Sequence, residues 1–424
     1  MVDASGPVAP PLSDSQRWLQ TPWIRRAGRE VLSLALMDAR NHSLRLLETF
    51  EQAMAQGWPD GPCDQLPSAT WVLGRIGWFQ ERWILRNLQR NLGLACEATS
   101  LRLAAIRPQA DAWWDGQRDA WADDTPPDLP ALRADLLQIL EATLDLLAGT
   151  PETDEALYFY RLALHHEDMQ GERLLQIMQA RGLTPERDLI ERCTPAAWAP
   201  REAVRMPATR ARLGHAGPGL AFDNEGPAHE LAIPEFEIDA QPVSWAQFLE
   251  FVDDGGYDQP AWWSEAGWAW LQAASDGQSR RAPRYVEQIG AASGAVLQTR
   301  FGHPTRLAGQ QAAMHLSWWE AQAWCRWAGR RLPLEAEWEV AAATASRRGF
   351  RWGDVWEWTA GSLQPYPGFS SGPDAAYSQA GFGRAKALRG GSGATPPRCK
   401  SPVFRHFAPA EHDALFCGFR SCAL

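Results

Sequence analysis

The sequence predicts a multidomain chain in which a purely α-helical domain precedes an α+β domain. At 424 residues the chain exceeds what a single hydrophobic core usually supports, so two domains are expected. Over the first 185 residues apolar side chains recur every three or four positions, which is typical of amphipathic helices. Beyond about residue 215 short alternating runs, typical of strands, stand among frequent Gly and Pro.

Four stretches of helical periodicity predict a four-helix bundle over residues 20–185. Pro151 and Gly182 are the expected start and stop signals of the last helix. Residues 186–214 contain Pro, Arg and Ala without a clear period, and we expect a linker there. The four stretches are 31–50, 71–92, 132–147 and 157–178.

The second domain, residues 215–424, is predicted to be rich in ordered loops. The alternating runs 229–233 and 236–239 predict strands, and 245–252 and 318–328 predict helices. The chain contains 23 Trp, a density that favours an interior filled, or a pocket walled, by large rings.

Composition excludes several classes of partner. A formal net charge of −10 argues against a nucleic-acid partner and against an anionic membrane surface. No run of roughly 18 apolar residues predicts a membrane span. Residues 1–16 lack the basic and apolar segments of a signal peptide.

The seven Cys include no CxxC pair, which favours reduced thiols in a cytoplasmic protein over a zinc ribbon or a dithiol centre.

Six strings in the second domain occur in a specific order. In this order they resemble the sulfatase-modifying-factor family, also called the formylglycine-generating-enzyme fold. The resemblance implies a C-type-lectin-like α+β domain over roughly residues 215–424, and most of the matching residues are expected to frame that fold. The strings are Pro242–Leu249, Ser317–Ala321, Gly329–Pro333 with Glu335–Glu339, Val355–Thr359, Leu388–Ser392 and Gly418–Arg420.

Two positions in this domain bear on chemistry. Trp356 and Trp358 lie two apart, and we expect one ring in the core and the other at a cleft, which makes Trp356 a candidate substrate contact. The cysteine pair of formylglycine-generating enzymes is not matched, because its positions fall on Thr395 and near Lys400, with Cys399 alone nearby. Formylglycine generation is therefore not expected.

Strings in both domains extend the resemblance over nearly the whole chain. They resemble the ergothioneine-type sulfoxide synthases and, more closely, the selenoneine synthase branch. This resemblance implies a DinB-like bundle, Fe(II) as cofactor, and a substrate of the trimethyl-histidine (hercynine) class with a selenosugar or thiol donor. The implied reaction uses non-haem iron and oxygen to join sulfur or selenium to the imidazole. The strings are Trp71–Trp83, Leu164–Glu172, Gly255–Tyr257 with Trp262–Trp263, Pro365–Phe369 and Phe404–Phe407.

The resemblance also implies an iron site made by three bundle histidines, two of them four residues apart. Residues at i and i+4 project from one helical face, so two imidazoles can share one ion. Here His166 matches the first position of that pair, Gln170 the second, and Arg75 the third histidine. Glutamine is a poor iron ligand and arginine stays protonated, so iron is expected to bind weakly or not at all. His166 and Gln170 are the candidate metal ligands and Arg75 a candidate substrate contact; His42 is a weaker candidate for the site.

A second departure falls in the other domain. The family's catalytic tyrosine precedes another tyrosine by three residues; here the pair reads Asp374 and Tyr377, the two candidate catalytic positions. An aspartate that holds the imidazole in some members aligns with Ala408. The preceding residue, Phe407, is a candidate substrate contact.

Three acidic residues on the last bundle helix leave two interpretations open. Glu167, Asp168 and Glu172 either form a carboxylate site or are helix-surface charges paired with Arg161 and Arg173, and the second interpretation is favoured. A salt bridge from Arg75 to Glu172, in the place of the metal, is a further hypothesis.

Two functions are compatible with these residues. The first is a selenoneine/ergothioneine synthase-like oxidoreductase with a remodelled metal site. The second is a metal-free pseudoenzyme or small-molecule-binding module on the same scaffold, which Arg75, Gln170 and Asp374 favour. A purely structural partner protein is a third and less attractive alternative, and the scaffold alone does not decide among the three.

Overall fold

The computed structural model of the chain describes residues 19–63, 65–116, 126–273, 280–290 and 295–424. The expectation about residues 1–16 falls outside these ranges. None of the helices in the described part of the chain combines the length and apolar character that a membrane span requires.

Four long helices form the first domain. They are α1 (Arg29–Ala55), α2 (Ala69–Gln80), α4 (Leu129–Ala148) and α5 (Asp154–Arg181), with the short α3 (Ala110–Trp114) between α2 and α4. Both α1 and α2 pack against α4 and α5. The predicted second helix is shorter than expected, because α2 passes into a π-helical turn, Glu81–Leu85, and the helical path ends there.

Polar caps define the helix ends. The side chains of Ser68, Asp128 and Thr153 accept hydrogen bonds from the first backbone amides of α2, α4 and α5. Gly182, with φ of 70°, ends α5 as predicted, since a left-handed residue at this position favours glycine. The start is Thr153 rather than Pro151.

The segment expected to be a linker is folded. It contains α6 (Arg187–Arg192) and two strands, β1 (Val204–Met206) and β2 (Thr209–Leu213). These strands pair antiparallel with β4 (Phe236–Ile238) and β3 (His229–Ile233), so residues 204–213 belong to the second domain. Apolar residues alternate with Arg in both strands, but Pro207 separates the two runs and the Pro- and Arg-rich residues before them obscure the pattern.

The remainder of the second domain is built around a four-stranded mixed sheet in the order β10-β9-β8-β11, in which β11 runs parallel to β8. Its strands are β8 (Trp356–Ser362), β9 (Lys386–Arg389), β10 (His406–Ala408) and β11 (Cys417–Phe419). A three-stranded sheet consists of β5 (Val286–Gly290), β6 (Ala295–Arg300) and β7 (His303–Leu307). The helices are α7 (Trp245–Asp253), α8 (Glu265–Ala273), α9 (Trp318–Trp327), α10 (Glu335–Thr344) and α11 (Ala375–Gln379). The predicted strands and helices of this domain are confirmed within a residue of their ends.

Helix α5 connects the two domains. Between Ala156 and Gln179 every residue is buried except Met169 and Arg173. The side chain of Gln179 bonds the backbone of Thr299 and Phe301, beyond the bundle. The candidate site is therefore carried on a helix that is covered by both domains.

Candidate functional site

Two stacked ring pairs set the register between α2 and α5. Trp83 stacks on Phe159 with ring centroids 5.1 Å apart, and Phe79 stacks on His166 at 3.8 Å. Residue numbers fall along α2 from Trp83 to Phe79 while they rise along α5 from Phe159 to His166, so the two helices are antiparallel. One further turn back along α2 brings Arg75 level with the turn of α5 that follows His166.

His166 and Gln170 meet as the i, i+4 pair that the sequence predicted. Gln170 Nε2 lies 3.3 Å from His166 Nε2, and Gln170 Oε1 is buried without a hydrogen-bond partner. Burial, together with the charges of Arg75 and Arg173, holds the pKa of His166 well below its ordinary value. His166 is therefore neutral at physiological pH and lies in a positive local field.

Arg75 is the only residue of α2 that is not buried. Its guanidinium carbon lies 5.3 Å from the ring centre of Trp71 and 5.1 Å from that of Trp78. Its Nη1 donates to the backbone carbonyls of Trp114 and Gly116. The guanidinium group therefore lies near two indole rings, and its Nη1 side is fixed by hydrogen bonds to the backbone.

Arg173 lies one turn beyond Met169 on the same face of α5, and these are the two accessible residues of its central stretch. No carboxylate within the described ranges forms an ion pair with Arg173. Burial lowers its pKa and the charge of Arg75 lowers it further, whereas Tyr377 raises it. Two guanidinium groups therefore share one partly open space between α2 and α5.

The second domain closes this space with Asp374 and Tyr377. The Tyr377 hydroxyl lies 3.9 Å from Met169 Sδ, and its ring lies 5.6 Å from that of Phe407. Burial raises the pKa of Asp374 to about 6, and the charge of Arg75 opposes that rise. The structure thus brings Arg75, Asp374 and Tyr377 to one interdomain space, with Phe407 packed against Tyr377.

Trp356 does not have the predicted position at a cleft. Side chains two apart on a strand point to the same face, so Trp356 and Trp358 are both buried, at 3% and 0% exposure. The indole N–H of Trp356 donates to Glu172 Oε1 at 2.9 Å. Trp356 therefore holds α5 against the second domain.

His406 was not singled out from the sequence, although it lies within the string that includes Phe407. Its ring lies 4.9 Å from that of Trp356, and it is only half-buried. Burial and the charge of Arg173 lower its pKa to about 3. The sequence signal that could have identified His406 is its position next to Phe407, a predicted substrate contact.

The three acidic residues of α5 are buried, so the prediction of helix-surface pairs is wrong. Glu167 is bonded to Arg40 at 2.8 Å, and both oxygens of Asp168 accept from Arg398 at 2.7 Å. Glu172 is bonded by Trp356 and also accepts from Ser392 at 2.6 Å and from Thr395 at 2.7 Å.

The Arg partners proposed for these acids also differ. Arg161 pairs with Asp154 instead. The salt bridge from Arg75 to Glu172 is not formed among the described contacts, because Trp356 and two hydroxyls occupy Glu172. Helical spacing could not reveal the partners of Glu167, Asp168 and Glu172, since each of those partners lies more than 120 positions away in sequence.

The donors around His166 do not fit iron. A divalent cation there would face the charges of Arg75 and Arg173. Glu172, six residues further along α5, already accepts three hydrogen bonds elsewhere. Gln170 offers one neutral oxygen. The residues at this position therefore do not suit a metal-dependent step.

A second buried group, His165, Asp168 and Cys399, has ligand atoms within 4.8 Å of one another. Both oxygens of Asp168 are already held by Arg398, and Cys399 Sγ lies 3.2 Å from Asp168. Burial and the adjacent carboxylate raise the pKa of Cys399 well above its ordinary value. This group is a hydrogen-bonded contact between the domains.

His42 does not complete the iron site either. Its ring lies against Gly171, and its charged neighbours include Asp168 and Arg398. These groups belong to the interdomain contact rather than to the space beside His166.

Comparison with known proteins covers both domains. Residues 194–354 match the sulfatase-modifying factor enzyme 1-like domain. The hercynine oxygenase of Mycolicibacterium smegmatis is 31% identical to the chain, and the alignment covers 92% of the chain and 98% of that protein. The hercynine oxygenase of Mycolicibacterium thermoresistibile is 30% identical, covering 92% and 94%. The formylglycine-generating enzyme of Streptomyces coelicolor is 35% identical but covers 36% of the chain and 51% of its own length.

The hercynine oxygenases thus match the chain over the helical domain as well as the sulfatase-modifying-factor domain. The resemblance predicted from ordered motifs in both domains is confirmed at that level. This chain belongs to the hercynine oxygenase family of ergothioneine synthases.

Proposed function

We propose that the chain is an ergothioneine-synthase-like protein that binds a hercynine-like small molecule between its two domains without iron at the family's metal position. The observation that carries this proposal is Arg75, whose permanent charge stands at the position of the third iron ligand, in register with His166 and Gln170. A site that repels a cation cannot share the metal-dependent step of a synthase with an intact histidine triad.

The space between the domains suits a trimethylated amino acid. Tyr377 and Phe407 provide aromatic faces, which attract a quaternary ammonium group. Asp374 adds a carboxylate that is ionised above a pH of about 6. These groups support a zwitterionic ligand whose fixed positive charge lies beside Asp374 and the two rings, away from the guanidinium groups.

The second candidate function is a synthase that joins sulfur or selenium to the imidazole through a remodelled site. The observation in its favour is that Tyr377 and His166 are both retained and both border the interdomain space. The selenosugar or thiol donor belongs to this alternative.

Iron content and ligand binding separate the two candidates. The full chain, produced with iron in the medium, is analysed for metal and titrated with hercynine by calorimetry. We expect substoichiometric iron and saturable binding of hercynine. Stoichiometric iron with oxygen-dependent consumption of hercynine would establish the synthase instead, and absence of any hercynine binding would contradict both.

A further inference from the structure

The accessible surface of α2 and of central α5 consists of only three side chains. Arg75 is the sole accessible residue of α2, and Met169 and Arg173 are the only ones of α5 between Ala156 and Gln179. Because the helices are antiparallel and in register here, the three side chains face one opening. Two of the three are guanidinium groups.

The hydrogen-bonding capacity of Arg75 is only partly used. Its Nη1 is bonded to the carbonyls of Trp114 and Gly116, which fixes the plane of the group. In the part of the chain that the structure describes, Nε and Nη2 have no acceptor. These two N–H groups form the edge that holds a carboxylate or phosphate through two parallel hydrogen bonds.

The neighbouring amide can adapt to an anion. Gln170 is 93% buried, yet its Oε1 has no donor, while its Nε2 faces His166 Nε2. The opposite orientation of the amide would let His166 donate to Oε1 and would point the NH₂ group away from the ring. Gln170 would then add a donor to the space beside the guanidinium groups.

The charges of this space are unbalanced. The charge of Arg75 lowers the pKa of Arg173, and within the described contacts neither arginine has a carboxylate ion-pair partner. Asp374 is the acidic group that acts most strongly on Arg75, but it lies beyond ion-pair distance. Two neighbouring cations in a partly buried space are stabilised when an anion lies between them.

We infer that the position of the family's iron is an oxyanion-binding site in this chain, formed by Arg75 and Arg173 with Gln170 as an additional donor. The site accepts a carboxylate or an inorganic oxyanion such as sulfate or phosphate. This inference goes beyond the proposed function, because it concerns charge recognition at the former metal position whichever small molecule the interdomain space receives.

The test measures anion binding to the full chain in the absence of hercynine. Sulfate, phosphate and acetate are titrated at constant ionic strength against chloride, with thermal unfolding and calorimetry as readouts. We expect saturable stabilisation by at least one oxyanion, with a Kd raised about tenfold or more in both Arg75→Gln and Arg173→Gln. The matched control is Arg187→Gln, which removes an exposed arginine on α6 and should leave the Kd unchanged.

Charge-preserving variants exclude a merely structural loss. Arg75→Lys and Arg173→Lys should retain measurable anion binding. Equal loss in Lys and Gln variants that remain folded would overturn the inference, as would an absence of any saturable anion effect in the unaltered chain.

Competition distinguishes the source of the anion. If hercynine displaces sulfate and the analogue lacking the carboxylate does not, the site takes the carboxylate of the organic ligand. If hercynine and sulfate bind together, the site takes a separate inorganic anion. Because the anion titrations contain no hercynine, their failure would leave the proposed hercynine binding standing.

Discussion

Arg75 and Gln170 decide the chemistry of the bundle at the scale of single residues. Their side chains stand where the family resemblance places two imidazoles. Arg75 lies one turn before Phe79, whose ring stacks on His166, and Gln170 lies one turn after His166. If the resemblance holds at these positions, a permanent positive charge and a neutral amide stand in place of two imidazoles, and such a pair disfavours a bound cation.

Restoring both histidines should restore metal binding. In the double variant Arg75→His/Gln170→His, three imidazoles would converge from α2 and α5. The variant also removes one positive charge, that of Arg75, from the site. We expect Co(II) or Fe(II) to bind with micromolar or better affinity, detected by calorimetry and elemental analysis. The single variant Gln170→His is the control and should stay metal-free, since Arg75 remains. Failure of the double variant to bind metal would mean that the rest of the site is also altered.

Asp374 should make stability depend on pH. Its pKa of about 6 in the folded chain lies above the ordinary value of 3.8, because burial disfavours its charge. The unfolded chain therefore releases this proton at lower pH, and stability is lost as the pH rises from about 4 through 6. Asp374→Asn should raise the free energy of unfolding at pH 7.5 by roughly 1–3 kcal/mol. Denaturant unfolding at pH 4 and 7.5 measures this, and equal effects at both pH values would refute the assignment.

Helix α5 determines, at the scale of elements, how the two domains meet. Its acidic residues follow one another along the chain but contact different elements. Glu167 pairs with Arg40 of α1, Asp168 with Arg398, and Glu172 with the start of β8 and the loop after β9. One helix thus carries both the site and its connections to the surrounding structure.

Removing the charge of Glu172 should weaken this junction. Glu172 accepts from Trp356, Ser392 and Thr395, and a glutamine would present its NH₂ group to donors. Glu172→Gln should lower the free energy of unfolding by about 1–3 kcal/mol, the usual effect of unsatisfied buried donors. Glu141→Gln, at an exposed position of α4, is the control for loss of charge and should change stability little. Urea unfolding followed by tryptophan fluorescence measures both.

The whole molecule should unfold as one cooperative unit. The second domain contacts α5 at Asp168, Glu172 and Gln179, and the ion pair of Arg398 with Asp168 is buried between the domains. An isolated bundle would expose this helix and leave Asp168 without its partner, which costs several kcal/mol. Thermal unfolding followed by circular dichroism and by tryptophan fluorescence should give coincident single transitions. Two separated transitions would show that the domains are independent.

The amino-acid sequence by itself determined the order of the domains, the four bundle helices, the main strands and the family. Helical and strand periodicity depend on neighbours a few residues apart, and the ordered motifs carry the fold. The assignment of Arg75, His166 and Gln170 to the family's metal position rests on the resemblance and stays a prediction. Residues 204–213 escaped this reasoning because Pro207 and the Pro- and Arg-rich residues before them obscured the short alternating runs.

Only the tertiary structure decided what surrounds those residues. Arg398, Ser392 and Thr395 lie more than 200 positions from their partners on α5, so their hydrogen bonds follow from packing alone. Burial of both faces of α5 turned expected surface charges into buried contacts, two of them between the domains, and left Arg75 and Arg173 at one opening. Long-range contacts and solvent access decide electrostatics, and neither is encoded in local spacing.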